Sequence, residues 1–403
     1  MTTGQTARSP LWILIAAGIV LGLGMGVRQT YGLFIEPINA DLGVSVASIS
    51  LAIAIQNLLW GVVTPFCGAI ADRYGTGRVL VVGGLFYAGG LVLTAFAQGP
   101  VAVFAGTGLL VGLGVSAASF PLVLSVVARS APDDRRNTWL GLASAGGSVG
   151  QFLLLPGAQG LIAAFGWVNA LLVLAALAFL IVPLAASLSM KPGTTQGSAQ
   201  SLSTALEEAR GHGGYWLLTA GFFVCGFHVS FIATHLPGYI VSCNLPAFVG
   251  ATALGLIGFF NIIGGLMAGW LGQRFRVKYL LAGIYLARAA AITIFVLAPK
   301  VDVVVWAFSA TFGLLWLSTV PLTSALVGQI FGPRYMATLF GIVMLGHQVG
   351  AFFGAWLGGL SFDMTGSYDT VWWIAILLGL LAAALHWPIE DKTIQRPATE
   401  AAS

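Results

Sequence analysis

Between Leu11 and Ile35 the chain runs through 25 residues with a single charge, Arg28. As a helix rising 1.5 Å per residue, such a run crosses the roughly 30 Å hydrocarbon core of a bilayer. Eleven more apolar runs follow, at 47–71, 77–97, 100–128, 138–163, 167–189, 215–241, 247–272, 277–298, 302–330, 335–362 and 368–388. Of the 403 residues 58% are hydrophobic and 7% are charged, whereas about a quarter of a soluble domain is charged. The alternation of a membrane β-barrel, in segments of about ten residues, is absent. The expected class is an all-α integral membrane protein with twelve transmembrane helices. The first run is too long for a signal peptide, and no A-x-A-like cleavage site follows it.

The basic residues sort by side. Fourteen fall in the tails and the even-numbered loops, Lys300 alone falls on the opposite side, and Arg28 and Arg288 lie within spans. By the positive-inside rule both termini face the cytoplasm, which places the protein in a cytoplasmic (inner) membrane. The net charge of +4 reflects this sorting and does not imply nucleic acid. Cys67, Cys225 and Cys243 show no disulfide or metal spacing, and neither a cofactor nor a metal is expected. The Gly-rich pieces lie inside helical spans and read as helix packing rather than phosphate loops. No enzyme motif is present.

The chain repeats itself. Sliding it by 200 residues lays "PLVLSVVARSAPDDRRNTWLGLASAGGSVGQF" from Pro121 over "PLTSALVGQIFGPRYMATLFGIVMLGHQVGAF" from Pro321, with nine of 32 positions identical. The same slide pairs Gly26 with Gly226, Pro37 with Pro237, and Arg28 with His228. Two homologous halves mark a transporter with its site between them near mid-membrane. The expected domains are a six-helix bundle at 1–190, a polar connecting loop at 191–214 and a second bundle at 215–403. Within the loop, "SLSTALEEAR" suits a short helix.

The loop "GAIADRYGTGR" carries Gly68, Asp72, Arg73, Gly75 and Arg78 in the pattern G-x-x-x-D-R-x-G-x-x-R. It resembles the span 2–3 signature of the major facilitator superfamily, and the resemblance covers the whole chain. Within that superfamily, "RRNTWLGLASAGGSVG" (Arg135 to Gly150) is similar to the span 4–5 signature of the monocarboxylate transporter family. The chain departs from that family in two places. The acidic, Trp-rich signature of span 1 is missing, and the span-8 Asp and Arg align with Asn261 and Gly265. The resemblance implies two pseudo-symmetric six-helix bundles, a cavity lined by spans 1, 4, 7 and 10, and a loop motif (Asp72, Arg73, Arg78) that holds the cytoplasmic side closed.

A charge near the bilayer centre costs about 2.5–3.5 kcal/mol on insertion scales, and such residues usually face a cavity. Arg28 is therefore the first candidate to anchor a carboxylate, with a structural hydrogen bond or snorkelling as the alternative. Tyr31 lies one turn away. His228, at the pseudo-equivalent depth, and His347, which stands where the first half has Gly147, can hydrogen-bond an anion or carry a proton. Gln348, Gln151, Asn261 and Arg288 complete the candidate set, each against a helix-packing alternative. All 13 acidic residues lie in loops, tails or span ends, so the field within the spans is positive. The expected function is secondary active transport of a small organic anion, a monocarboxylate, by a monomer in the lipid bilayer, with protons as a candidate coupling ion. An exporter of drugs or other hydrophobic compounds is the alternative, although the G-P-x-x-G-G motif of such exporters is absent from span 5.

Overall fold

The computed structural model describes residues 9–132, 136–189, 202–332 and 336–394. Arg135, and with it the start of the span 4–5 signature, lies outside them, as do the Asp72 side chain and the first part of the connecting loop. Within the described residues the expected short helix is present at Leu202–Gly211.

Twelve spans are laid out as the apolar runs dictate. Span 1 is Pro10–Gln29, which steps at Thr30 into Tyr31–Leu42. Spans 2 and 3 are Val46–Tyr74 and Thr76–Ala95. They are separated only by Gly75, whose φ of 94° favours glycine and accounts for that residue in the loop motif. Spans 5 and 6 share one helical stretch, Arg136–Phe179, extended by Ile181–Ser187. A straight helix of that length would exceed twice the membrane core, so the chain turns at Gly166, where φ is 78°. The second half repeats the device: Gly366, with φ 69°, separates span 11 (Met336–Thr365) from span 12 (Asp369–His386). Spans 7, 8 and 9 are Gly213–Ser242, Ala247–Gly272 and Val277–Leu297.

Spans 4 and 10 are both broken. Span 4 passes through a π-helical segment, Phe104–Leu110, into Val111–Ala117, and resumes as Phe120–Ser130. Span 10 runs Asp302–Leu315, breaks, and resumes as Thr319–Phe331. The two breaks lie 200 residues apart, each just before a proline, Pro121 and Pro321. Proline removes the backbone donor that would bridge the gap.

Glycine sets the tightest packing. A Cβ on Gly26 would stand 2.6 Å from the Gly150 carbonyl oxygen, and one on Gly146 would stand 2.7 Å from the Gly18 Cα, so spans 1 and 5 touch backbone to backbone. Spans 7 and 11 repeat the pairing through Gly226 against His347, and Gly350 and Gly354 against Phe223 and Phe227. Spans 1–6 and 7–12 thus form two bundles of like construction.

Among the described residues, the hydrogen bonds that cross between the bundles sit at mid-depth or on the side away from the termini. They include Asn57 to Ser230 (3.0 Å), Asn261 to Ser148 (3.3 Å) and the Ala47 backbone to Asp363 (2.9 Å). On that far side Gly32 abuts the carbonyls of Ala233 and Thr234, and Gly359 abuts Ser50. On the terminal side, Gly68, Gly141, Gly269 and Gly341 have nothing within 4 Å of where a Cβ would stand. On the same side the C-terminal segment is tied to the bundle by Arg276, which donates to Asp391 (2.5 and 3.1 Å), and by Lys278, which donates to the Ile389 carbonyl (2.7 Å). The Arg276 bond holds the Asp391 carboxyl below the usual carboxylate range.

Candidate functional site

A small polar cavity of about 20 Å³ lies between the bundles, enough for a single water. Spans 1, 2 and 7 wall it with Arg28, Gln29, Tyr31, Gly32, Ile53, Gln56, Asn57, Val229, Ser230, Ala233 and Thr234. The step at Thr30 sets Tyr31 and Gly32 on this wall beside Arg28, and Gln56 and Asn57 are consecutive on span 2.

Arg28 is held by movable partners. Its Nη1 donates to Gln29 Oε1 (3.3 Å), its Nη2 donates to Asn57 Oδ1, and its guanidinium lies 4.6 Å from the centre of the Trp60 ring. Its Nε is buried without a partner. The same is true of Tyr31 Oη and of both amide atoms of Gln56, a side chain 1% exposed. No carboxylate lines this cavity. A guanidinium has only donors to offer, and its two forks match a carboxylate bidentately. Buried polar atoms without partners are uncommon and costly. With Arg28 Nε, the donors Gln56 Nε2 and Tyr31 Oη line the cavity, a set that suits the oxygens of a small anion.

A larger cavity, about 290 Å³, opens on the far side and is lined by residues that include Ile35, Glu36, Asn39, Ser242, Phe362 and Tyr368. Gly32 and Thr234 belong to both cavities, and the contact between those two residues separates them.

The remaining candidates fall elsewhere. His228 does not line the Arg28 cavity. Its Nε2 bonds the Ala375 carbonyl of span 12 at 2.7 Å, and its ring lies against Phe312 of span 10. Arg288 is fully buried in the second bundle. It donates to the carbonyls of Leu315 (3.1 and 2.6 Å) and Trp316 (2.5 Å), which are freed by the break in span 10. Asn261 accepts from the Leu317 amide at the same break (3.1 Å) and donates across to Ser148 of span 5. Gln151 is buried where span 5 packs on Gly258 of span 8. Gln348 packs on Gly61 of span 2, its Oε1 unpartnered. His347 is buried beside the Cys225 thiol, its ring 4.8 Å from that of Phe222. Of the candidate set, the structure brings Arg28 and Tyr31 together in one cavity. It adds Gln56, Asn57 and Ser230, for which the one sequence signal is two consecutive amides inside an apolar span. In the loop motif, Arg73 and Arg78 are exposed.

The chain is 24% identical to an uncharacterized MFS-type transporter, YcxA, of Bacillus subtilis (strain 168), over 96% of this chain and 97% of the relative. It is 26% identical to monocarboxylate transporter 13 of Rattus norvegicus, over 90% and 85%. Among solved structures, a D-xylose-proton symporter superposes with a TM-score of 0.76 at 17% identity, over 96% of this chain and all of that one. A bacterial homologue of the human lysosomal transporter Spinster, inward-facing and occupied, superposes with a TM-score of 0.78 at 14% identity, over 97% and 99%. The family model of the Major Facilitator Superfamily matches residues 14–353, and the chain belongs to that superfamily.

Proposed function

We propose that this transporter is a secondary active carrier of a small organic anion, a monocarboxylate, that binds between the bundles on Arg28. The observation that carries the reading is the Arg28 cavity: a fixed positive charge, four unpartnered polar atoms and no carboxylate in its lining. A lipophilic cation would meet repulsion there, and a neutral sugar would leave the charge uncompensated. Rat monocarboxylate transporter 13 and human monocarboxylate transporter 11, each 26% identical, carry the matching substrate class in their names.

In this reading Arg28 takes the carboxylate, and Gln56 and Tyr31 bond the remaining oxygens. The bundles, 1–190 and 215–403, rock about the site as rigid units in a monomer. The basic excess orients the termini to the cytoplasm of an inner membrane. The exposed Arg73 and Arg78, with Asp72, pair when the cytoplasmic side closes. If a proton is carried, His347 is the protein's candidate for it: a buried imidazole beside the Cys225 thiol.

Thermal unfolding of the purified protein tests the substrate class. Acetate, propionate, pyruvate, lactate and benzoate are compared with tetraphenylphosphonium and D-xylose. At least one monocarboxylate raises the midpoint in the wild type and leaves a folded Arg28→Ala variant unchanged. Stabilisation by the cation or the sugar alone contradicts the reading.

A further inference from the structure

We propose that Asn57 couples occupancy of Arg28 to the contact between the bundles, acting as a positioning residue that relays anion binding to Ser230 of span 7. This inference rests on the reading of Arg28 as the anion's anchor.

The chemistry of the three side chains fixes the direction of the relay. Arginine can only donate, so the Asn57 oxygen must face Arg28, and the amide nitrogen is left to face Ser230. The bonds follow that order: Arg28 Nη2 to Asn57 Oδ1, then Asn57 Nδ2 to Ser230 Oγ at 3.0 Å. Asn57 is 1% exposed and Ser230 3% exposed, so water does not substitute for either partner. One amide therefore bridges span 1, span 2 and span 7, and its last bond crosses from one bundle to the other.

An arriving carboxylate disturbs this bridge. The guanidinium offers two forks, Nε with Nη2 and Nη1 with Nη2, and both use the nitrogen that Asn57 already engages. Nε is the unpartnered atom, so the Nε–Nη2 fork is the one that lies open. Nη2 carries two N–H groups, so a carboxylate can take one while Asn57 holds the other; the ion pair is stronger than the bond to a neutral amide and draws the guanidinium toward the anion, away from Asn57 Oδ1. The Asn57 amide is planar, so its oxygen cannot follow Nη2 without carrying Nδ2 off Ser230. Binding then loosens a bond that joins the bundles at mid-depth. It does so one turn from the place where Gly32 abuts Thr234 and closes the far-side cavity.

Four variants test the relay in proteoliposomes. The probe is whichever labelled carboxylate of the panel above shows the largest Arg28-dependent binding. Asn57→Ala removes the bridge and leaves the anchor: its dissociation constant does not rise above that of the wild type, because no bridge has to be loosened, and exchange across the membrane slows at least tenfold. Ser230→Ala removes only the last bond, a smaller steric change, and slows exchange in the same direction at unchanged affinity; it decides the question if Asn57→Ala does not fold. Asn57→Asp supplies a resident carboxylate to Arg28 and weakens binding at least tenfold. Wild-type exchange in Asn57→Ala or Ser230→Ala overturns the relay, as does wild-type affinity in Asn57→Asp. Loss of binding in Asn57→Ala also overturns it, because Asn57 would then be a ligand of the anion. Binding that persists in Arg28→Ala is a different failure, and it removes the reading of the site itself.

Discussion

Two arginines lie within the spans, and their partners separate their roles. Arg288 donates to main-chain carbonyls at a helix end, where a cation is also favoured by the helix dipole, and its Nη1 is buried without a partner. Those acceptors cannot rotate away, and the guanidinium is fully buried among Tyr285 and Phe312. Arg28 is compensated by two side-chain amides that can turn aside, and it borders a cavity. The first arrangement is that of a brace, and the second is the one proposed here as a receptor. Arg288→Met should therefore lower the thermal midpoint by several degrees, because charged hydrogen bonds are worth about 1.5–3 kcal/mol each. In folded protein it should leave Arg28-dependent carboxylate binding within about threefold; thermal unfolding and equilibrium binding on the same preparation check both halves. The sequence ranks both residues as candidates, because any charge in hydrocarbon is conspicuous. It does not say which one meets main chain, since that depends on a break in span 10 signalled only by Pro321. Gln56 and Asn57 were harder to read, because amides inside spans serve equally well as bonds between helices.

At the scale of the element, the 200-residue repeat sets depth but not direction. Arg28 and His228 share a register, yet they face different neighbours. Span 12 carries Gly379 beside His228, where an added Cβ would stand 3.3 Å from the imidazole; the first half has Phe179 at the matching place. The small residue opens room on span 12, and the ring bonds Ala375 there instead of reaching the Arg28 cavity. The packing of glycine on backbone was more legible, since Gly146 and Gly150 recur as Gly346 and Gly350. Gly150→Leu tests it directly. Its side chain would enter the backbone of span 1 at Gly22, and overpacking of this kind costs about 1–3 kcal/mol or more. The expected result is a lowered midpoint, whereas Gly141→Leu, with open space around it, should leave the midpoint within a degree or two.

For the whole molecule, twelve apolar runs and a repeat of 200 residues are enough to define a membrane fold of two pseudo-symmetric bundles. What they could not define is the state in which the bundles rest. That state follows from contacts many residues apart, such as Gly32 with Thr234 and Asn57 with Ser230, whose partners lie in different halves of the chain. Arg28 is the proposed centre of that interface: the point where an anion would meet both the unpartnered polar atoms and the bridge that joins the bundles. Uptake of labelled monocarboxylates into proteoliposomes holding wild-type or Arg28→Ala protein measures this most directly. The expected result is saturable uptake by the wild type, and uptake at the level of empty liposomes by a folded Arg28→Ala variant. Undiminished carboxylate uptake by that variant would contradict it.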